Sequence, residues 1–383
     1  MTEKFDIVVI GAGIGGSSTA AELAENASVA LLDMEAQPGF HSTGRSAAFF
    51  APSYGSSTVR AITSASEHFY REPPVGFSET ELIRSRDAVF IARASQLLQL
   101  QEMGAEIPAL QRLSTDEICR QVPILNRDYV AAALLDTTGG DLDVDAILQG
   151  YLRLFRKRGG KLICNGQVEM LRHNDGVWTI GFGELSVTAP ILVNAAGAWA
   201  DTVAELAGIP KLGLQPMKRT AVLIDQNQAG DGEQCIDIND WPMVVDVNEQ
   251  FYFKPDAGKL LISPADETPS IPCDAQPDEL DIAIAVERFQ LATTIDVRRI
   301  NHSWAGLRTF APDRNFVVGF DPRSDGFFWL AGQGGYGVQA APALAQLANS
   351  VITGATLSQE FSKVLSLRNE VAPERLLRSQ HIP

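Results

Sequence analysis

The stretch Phe5-Asp6-Ile7-Val8-Val9-Ile10-Gly11-Ala12-Gly13-Ile14-Gly15-Gly16 decides how the rest of the chain is read. Residues 5–10 are largely apolar and β-branched, the pattern of a parallel strand buried on both faces. Residues 14–25 continue as a helix rich in alanine and small side chains, and residues 29–32 are a second buried strand. Between a strand and a helix, G-x-G-x-x-G has a mechanical meaning. Gly11 makes the tight turn, Gly13 lets backbone approach a pyrophosphate, and Gly16 lets helix and strand pack closely. The first N–H groups of the helix and its dipole then offer positive potential to phosphate. An acid about 20 residues further on should hold a ribose hydroxyl, and Asp33 stands there.

Working outward, His41-Ser42-Thr43-Gly44-Arg45-Ser46-Ala47-Ala48 follows that acid. Its hydroxyls can hydrogen-bond phosphate and its arginine can neutralise it, although an ordinary polar loop would look the same. A second strand–glycine loop–helix lies near the far end. Residues 327–331 are apolar, Gln333-Gly334-Gly335-Tyr336-Gly337 is the loop, and residues 338–350 are an alanine-rich helix. Glycines there permit backbone to approach a flat ring, and the helix start would favour charge gathering on it. Between the two ends, residues 72–138 mix short helices with strands such as Ala88-Val89-Phe90-Ile91. Residues 145–158 read as a helix and 161–194 as a run of strands. Residues 218–264 read as an antiparallel sheet, with a turn at Pro255-Asp256-Ala257-Gly258, and 264–280 as loop. This order predicts an α/β fold: a Rossmann-type nucleotide domain closed by both chain ends, with an inserted α+β domain on a mostly antiparallel sheet.

Arg219, Arg308, Tyr54 and Tyr252 stand out, the two arginines because they sit in apolar strand-like segments. A guanidinium in such surroundings needs a partner. It can grip a substrate carboxylate bidentately or pair with an internal acid, and the sequence leaves both open.

The formal net charge is −16, from 31 Lys and Arg against 47 Asp and Glu. That field disfavours nucleic acid and anionic membrane but not a small anionic substrate in a locally positive pocket. No apolar stretch approaches the roughly 20 residues of a membrane span, and the first residues lack the pattern of a signal peptide. A cytoplasmic location is expected. Cys119, Cys164, Cys235 and Cys273 are far apart and show no metal spacing, nor do the five histidines, so no metal is expected.

Taken together, these segments resemble the D-amino acid oxidase superfamily of flavoenzymes, and within it the branch of the bacterial D-arginine dehydrogenases. The likeness rests on Gly11 to Gly16, on Gln37-Pro38-Gly39-Phe40-His41-Ser42-Thr43-Gly44-Arg45-Ser46-Ala47-Ala48, and on Val193-Asn194-Ala195-Ala196-Gly197-Ala198-Trp199. It rests also on Trp304-Ala305-Gly306-Leu307-Arg308 and on Gln333 to Gly337. The resemblance implies FAD rather than NAD, held non-covalently, since no cysteine lies in either glycine loop. It implies that Gly11, Gly13, Ile14, Gly16 and Asp33 contact the ADP half. Ser42, Thr43, Arg45, Ser46 and Ala48 would contact pyrophosphate and flavin. Ala196 and Gly197 would lie beside the adenosine, and Gly335, Tyr336 and Gly337 at the flavin ring. Arg219, Arg308, Tyr54 and Tyr252 would form the carboxylate grip and lid, with the Gly335 carbonyl as partner of the substrate amine. It also implies an FAD-binding domain of residues 1–71, 139–214 and 303–383 and a substrate-binding domain of residues 72–138 and 215–302.

Two positions depart from that branch. Ala88 stands where it has a glutamate, and Phe49 where it has a histidine. Both changes make the pocket less polar, so neutral D-amino acids are expected to be preferred over D-arginine. Asp87 threatens this expectation, but neighbours on a strand point to opposite faces; Glu79 and Glu81 are lesser threats. The expected reaction is oxidative deamination of a D-amino acid to a 2-oxo acid and ammonia, by hydride transfer to flavin. Alternatives are oxidation of glycine or sarcosine-like amines, or of a 2-hydroxy acid. The electron acceptor, whether quinone, another carrier or oxygen, is left open.

Overall fold

A computed structural model describes residues 2–225 and 237–378; Cys235, His381 and part of the stretch expected as sheet lie outside them. The apolar run near the start forms the strand Ile7–Ile10, which sits inside a six-stranded sheet. The order across this sheet is Lys161–Ile163, Val29–Leu32, Ile7–Ile10, Ile191–Asn194, Phe327–Ala331 and Val317–Phe320. All neighbours are parallel except the last pair. Ile10 is level with Leu32 on one side and with Asn194 on the other. The carboxyl ends of these strands therefore form one edge, where such sheets bind ligands.

The helices Ile14–Leu23, Val144–Lys157 and Gly337–Thr353 cover one face of this sheet, and their apolar sides share a buried core that includes Val9, Leu31, Ile147, Phe155, Phe328 and Leu344. Ile14–Leu23 is buried at every position, which is why its side chains are small. The opposite face packs Val8, Leu192 and Trp329 against Trp178 and Ile180, which lie in a second sheet of Glu3–Lys4, Leu185–Ala189, Val177–Phe182 and Met170–Asn174.

A nine-stranded sheet holds the rest. Its centre is Gln215–Asp225, Lys259–Ser263, Tyr252–Asp256, Met243–Asp246 and Ala88–Ala92. Pairing is antiparallel except between Met243–Asp246 and Ala88–Ala92. The expected hairpin turn at 255–258 is tighter than its sequence suggests. Strand continues through Asp256, and only Ala257 and Gly258 turn, both with positive φ, as a two-residue hairpin requires. His302–Phe310 pairs with Gln215–Asp225 over nine consecutive positions. It is thus a strand of the large sheet, although the sequence grouped residues from 303 onward with the nucleotide-binding part. Phe49–Phe50, Gly140–Leu142 and Ile83–Ser85 form a three-stranded sheet whose Phe50, Ile83 and Leu142 pack into the core beside the six-stranded sheet. Among the described residues no helix is long and apolar enough to cross a membrane.

Candidate active site

At the nucleotide end the chain turns sharply. Gly11 has φ +100°, and a Cβ there would lie 2.5 Å from the Ala195 carbonyl oxygen. A Cβ on Gly16 would overlap the Gly11 carbonyl oxygen. Gly16 thus acts through packing, while Gly11, Gly13 and Ile14 line a cavity with Asp33, Ser42, Thr43, Ala196 and Gly197. Asp33 accepts hydrogen bonds from the N–H of Ala12 (2.6 Å) and of Glu35 (2.9 Å). Burial pushes its carboxyl upward, against those two bonds. Thr43 Oγ1 accepts from the Ile14 N–H at 3.0 Å, and Ser42 donates to the Leu307 carbonyl at 2.6 Å. Arg45 is occupied: it donates to the carbonyls of Ala275 (2.9 Å) and Ala305 (3.0 Å) and pairs with Asp274. Its guanidinium ties the glycine-serine loop to the large sheet, a use its sequence did not announce.

A second cavity continues from the first, sharing Ile14, Ser42, Thr43, Gly197 and Gln333 with it. Arg45, Ser46, Gly335 and Gly337 line it as well. The helix Gly337–Thr353 has no side-chain cap at its start, so the free N–H groups of its first turn are available there. Tyr336 is the cap residue; its ring packs 5.2 Å from that of Tyr54. Among the described residues Gln333 Nε2 and Thr309 Oγ1 are buried without a partner, and both residues line this cavity. Close-approach glycines, two helix starts, one of them uncapped, and orphaned polar atoms along one continuous cleft are what an extended dinucleotide with a flat ring needs. The residues present fit FAD.

A third cavity opens from the second and shares Ser46, Ala47, Arg219, Tyr252, Arg308 and Gly335 with it. Arg219 and Arg308 come from the paired strands Gln215–Asp225 and His302–Phe310. Arg219 is only 7% exposed. It donates to the Asp266 carbonyl at 2.8 Å and lies 3.3 Å from Glu267, which Arg314 also holds at 2.8 Å. Arg308 lies against Gly335, where a Cβ would come 2.9 Å from its Nη1. Among the described residues Arg308 has no hydrogen-bond or ion-pair partner. The two readings of the arginines thus divide: Arg219 pairs internally, and Arg308 does not. Burial, and then the charge of Arg308, push the Arg219 guanidinium downward. Burial raises Glu267, but the Arg314 hydrogen bond and the three arginine charges outweigh it and leave the carboxyl low. Glu267 therefore stays ionised between Arg219 and Arg314, while the Arg308 guanidinium is left without a pairing carboxylate and is suited to an anion.

Phe49, Ala88, Phe90, Met243, Val245 and Ala265 give the third cavity apolar walls. Asp87 does not line it; burial and the nearby Asp136 charge push its carboxyl upward. Glu79 and Glu81 do not line it either. The acid that does is Glu249, which sequence reasoning missed. Tyr54 donates to Glu249 at 2.6 Å. Burial, then the Glu249 charge, hold the Tyr54 hydroxyl well above its ordinary range, so it remains a donor. Glu249 has φ +53°, and Ala48 (+57°) and Ala265 (+52°), also left-handed, line the same cavity. Strain of this kind gathers at functional sites. The signal for Glu249 is the polar run Asp246-Val247-Asn248-Glu249-Gln250 between two apolar strands. Buried Asp246, held by Gln96 at 3.0 Å, accepts the Asn248 N–H at 3.0 Å and shapes that turn.

Comparison with known proteins agrees with this geometry. A family model described as FAD dependent oxidoreductase (DAO) matches residues 6–350. FAD-dependent oxidoreductase domain-containing protein 1 of Bos taurus is 25% identical over 71% of this chain and 62% of its own length. The chain thus spans less than two thirds of that relative. N-methyl-L-tryptophan oxidase of Salmonella dublin is 22% identical over 94% of this chain and 97% of the relative. The structure of L-proline dehydrogenase from P. horikoshii superposes with a TM-score of 0.81 at 21% identity, covering 99% of each chain; at that identity it speaks for the fold.

Proposed function

Because the chain belongs to the FAD dependent oxidoreductase family, with FAD as its cofactor, we propose that it oxidises the amine-bearing carbon of an amino acid, of D configuration. The products are a 2-oxo acid and ammonia. The carrying observation is the unpaired guanidinium of Arg308 beside Arg219, on the wall shared by the flavin and substrate cavities. The substrate carboxylate bridges the two guanidiniums, which fixes the α-carbon against the flavin side of the cleft. FAD, when bound, would supply the two-electron acceptor for this oxidation. The Gly335 carbonyl takes an N–H of the amine, Tyr54 and Tyr252 close the pocket, and the imine released hydrolyses in water. No protein base is needed when the amine arrives neutral. The D configuration is carried by family resemblance.

The apolar walls favour neutral side chains over D-arginine. A basic side chain would have only Glu249, at the exposed rim and already bound by Tyr54, for a counter-ion. FAD is held non-covalently: no described cysteine lines the cleft, and denaturation should release all flavin to the supernatant. The three described cysteines are free, which suits the cytoplasm. A second reading, oxidation of an N-alkyl amino acid, is favoured by the likeness to N-methyl-L-tryptophan oxidase. Anaerobic bleaching of the flavin decides between them. The panel is D-leucine, D-methionine, D-phenylalanine and D-arginine, their L forms, sarcosine, N-methyl-L-tryptophan and 2-hydroxy acids. Bleaching by D-amino acids is expected; bleaching only by N-methyl amino acids or hydroxy acids would replace the proposal.

A further inference from the structure

We infer that Arg314 is a positioning residue for the substrate carboxylate, because it draws the charge of Glu267 away from Arg219. The inference rests on the proposed reading, in which Arg219 and Arg308 grip that carboxylate. Glu267 offers the same oxygen, Oε1, to two guanidiniums. Arg314 Nη2 donates to it at 2.8 Å, and Arg219 Nη2 reaches it only at 3.3 Å. Burial raises the Glu267 carboxyl, and what lowers it comes first from Arg314 and then from Arg219. The local structure holds Arg314 in this place. It follows the strand His302–Phe310, which carries Arg308. Its φ is +62°, and its N–H donates to the Ala311 carbonyl at 2.9 Å. On either side, Arg375 holds Asp313 at 2.6 and 3.0 Å, and Ser56 donates to Asn315 Oδ1 at 2.6 Å. The guanidinium carbon lies 4.0 Å from the centre of the Phe310 ring, and a cation is attracted to an aromatic face. Ring and carboxylate together fix a side chain that is 47% exposed.

In the proposed complex the charges alternate in sign: Arg314, Glu267, Arg219 and then the bound carboxylate, with Arg308 as its second partner. Two further acids are nearby and are held by other groups. Asp266 accepts the N–H and the hydroxyl of Thr220 at 2.7 and 3.2 Å, and Glu249 accepts from Tyr54. Arg219 does not depend on Glu267 for its place, since its Nε donates to the Asp266 carbonyl at 2.8 Å. Without Arg314, Arg219 would stay where it is but serve two carboxylates, Glu267 and the substrate's. Glu267 would close on Arg219, and the two like charges would repel across a poorly solvated wall.

The test titrates the full-length, flavin-loaded enzyme with 4-methylpentanoate, which is leucine without its amine, and reads the dissociation constant from the change in flavin absorbance. Arg314→Met keeps an unbranched stem on Phe310 and removes the charge. It should weaken 4-methylpentanoate about fivefold, the worth of a screened ion pair. KM for the substrate that bleaches the flavin best should rise by the same factor, with kcat changed by no more than about twofold. Glu267→Gln should not weaken binding, because the Asp266 carbonyl still holds Arg219. In that background Arg314→Met should have no further effect, since the carboxylate it acts through is gone. An equal loss with and without Glu267 would mean that Arg314 attracts the anion directly, and would overturn the inference. So would unchanged affinity in Arg314→Met, or a loss of kcat and flavin content in place of the rise in KM, which would make the turn a support of the fold alone. If the Met variant does not load flavin, Arg314→Gln carries the same test, keeping a donor to Glu267 without the charge. Arg308→Ala separates the two readings. If it weakens 4-methylpentanoate and neither Arg314 variant does, only the part given to Arg314 falls; if it too leaves binding unchanged, the carboxylate grip itself falls.

Discussion

At the nucleotide end, Gly11, Gly13, Gly16 and Asp33 lie in one strand–helix–strand unit and act mainly through backbone shape. At the substrate end, Tyr54, Ala88, Arg219, Glu249, Tyr252 and Arg308 come from separate strands and turns and act through side chains. At Gly11 and Gly16 the first end tolerates no added atom, because backbone meets backbone. The second keeps open space and a guanidinium, Arg308, with no hydrogen-bond or ion-pair partner among the described residues. Rigid cradle and open pocket meet where Arg308 lies against Gly335.

The two ends should therefore break differently. Gly16→Ala places a methyl into the Gly11 carbonyl oxygen, and neither backbone segment can yield without moving the sheet. Overpacking of this severity should cost about 3 kcal/mol or more. The purified variant should be colourless or insoluble, read from its flavin-to-protein absorbance ratio; a yellow, stable variant would mean that this turn is softer than its geometry.

Arg308→Ala should leave the flavin content intact while kcat/KM falls by about 1.5 to 3.5 decades, from roughly 2–5 kcal/mol for an unpaired buried charge. Lysine should not restore it, lacking the planar fork. Loss of flavin together with activity would erase the distinction between the ends.

A smaller effect separates the substrate's proton from those of the pocket. Hydride loss needs a neutral amine, so kcat/KM should rise about tenfold per pH unit below the amine pKa and then level off. Tyr54 and Tyr336 are both shifted upward, chiefly by burial. A raised pKa keeps each hydroxyl protonated to higher pH, so neither should give a falling limb before about pH 10, the ordinary tyrosine value. A rate flat with pH would count against hydride loss from the free amine, and a fall beginning well below pH 10 against these hydroxyls staying protonated.

The same contrast explains what could be read from the sequence. The cradle was legible because its spacing is local: turn, helix start and ribose acid follow in order, and the six-stranded sheet confirms the strands. Arg219 and Arg308 were legible as anomalies, charges within apolar runs, but that Arg219 pairs internally and Arg308 does not was not. Glu267 lies far along the chain from both. Glu249 was hidden because its exposure to the pocket depends on a left-handed turn built by Asp246 and Gln96, residues 150 apart in sequence. Arg45 lines the cleft, but its clamp to Asp274 and to the carbonyls of Ala275 and Ala305 could not be read before the large sheet was in place.

Glu249 gives the finest test of the pocket. It is exposed at the rim and shares its carboxylate with Tyr54, so its pull on a cationic side chain is screened and worth only about 0–1 kcal/mol. Glu249→Gln should lower the kcat/KM ratio of D-arginine to D-leucine by no more than about fivefold. Ala88 is different: it is 2% exposed and pairs with Met243 deep on the wall. A carboxylate installed there by Ala88→Glu would be desolvated and should seek a guanidinium strongly, raising the same ratio by more than Glu249→Gln lowers it. If Glu249→Gln instead abolishes a marked preference for D-arginine in the parent, the rim acid has taken over the part that Ala88 cannot play. The apolar walls would then hold the stem of a basic side chain rather than select against it.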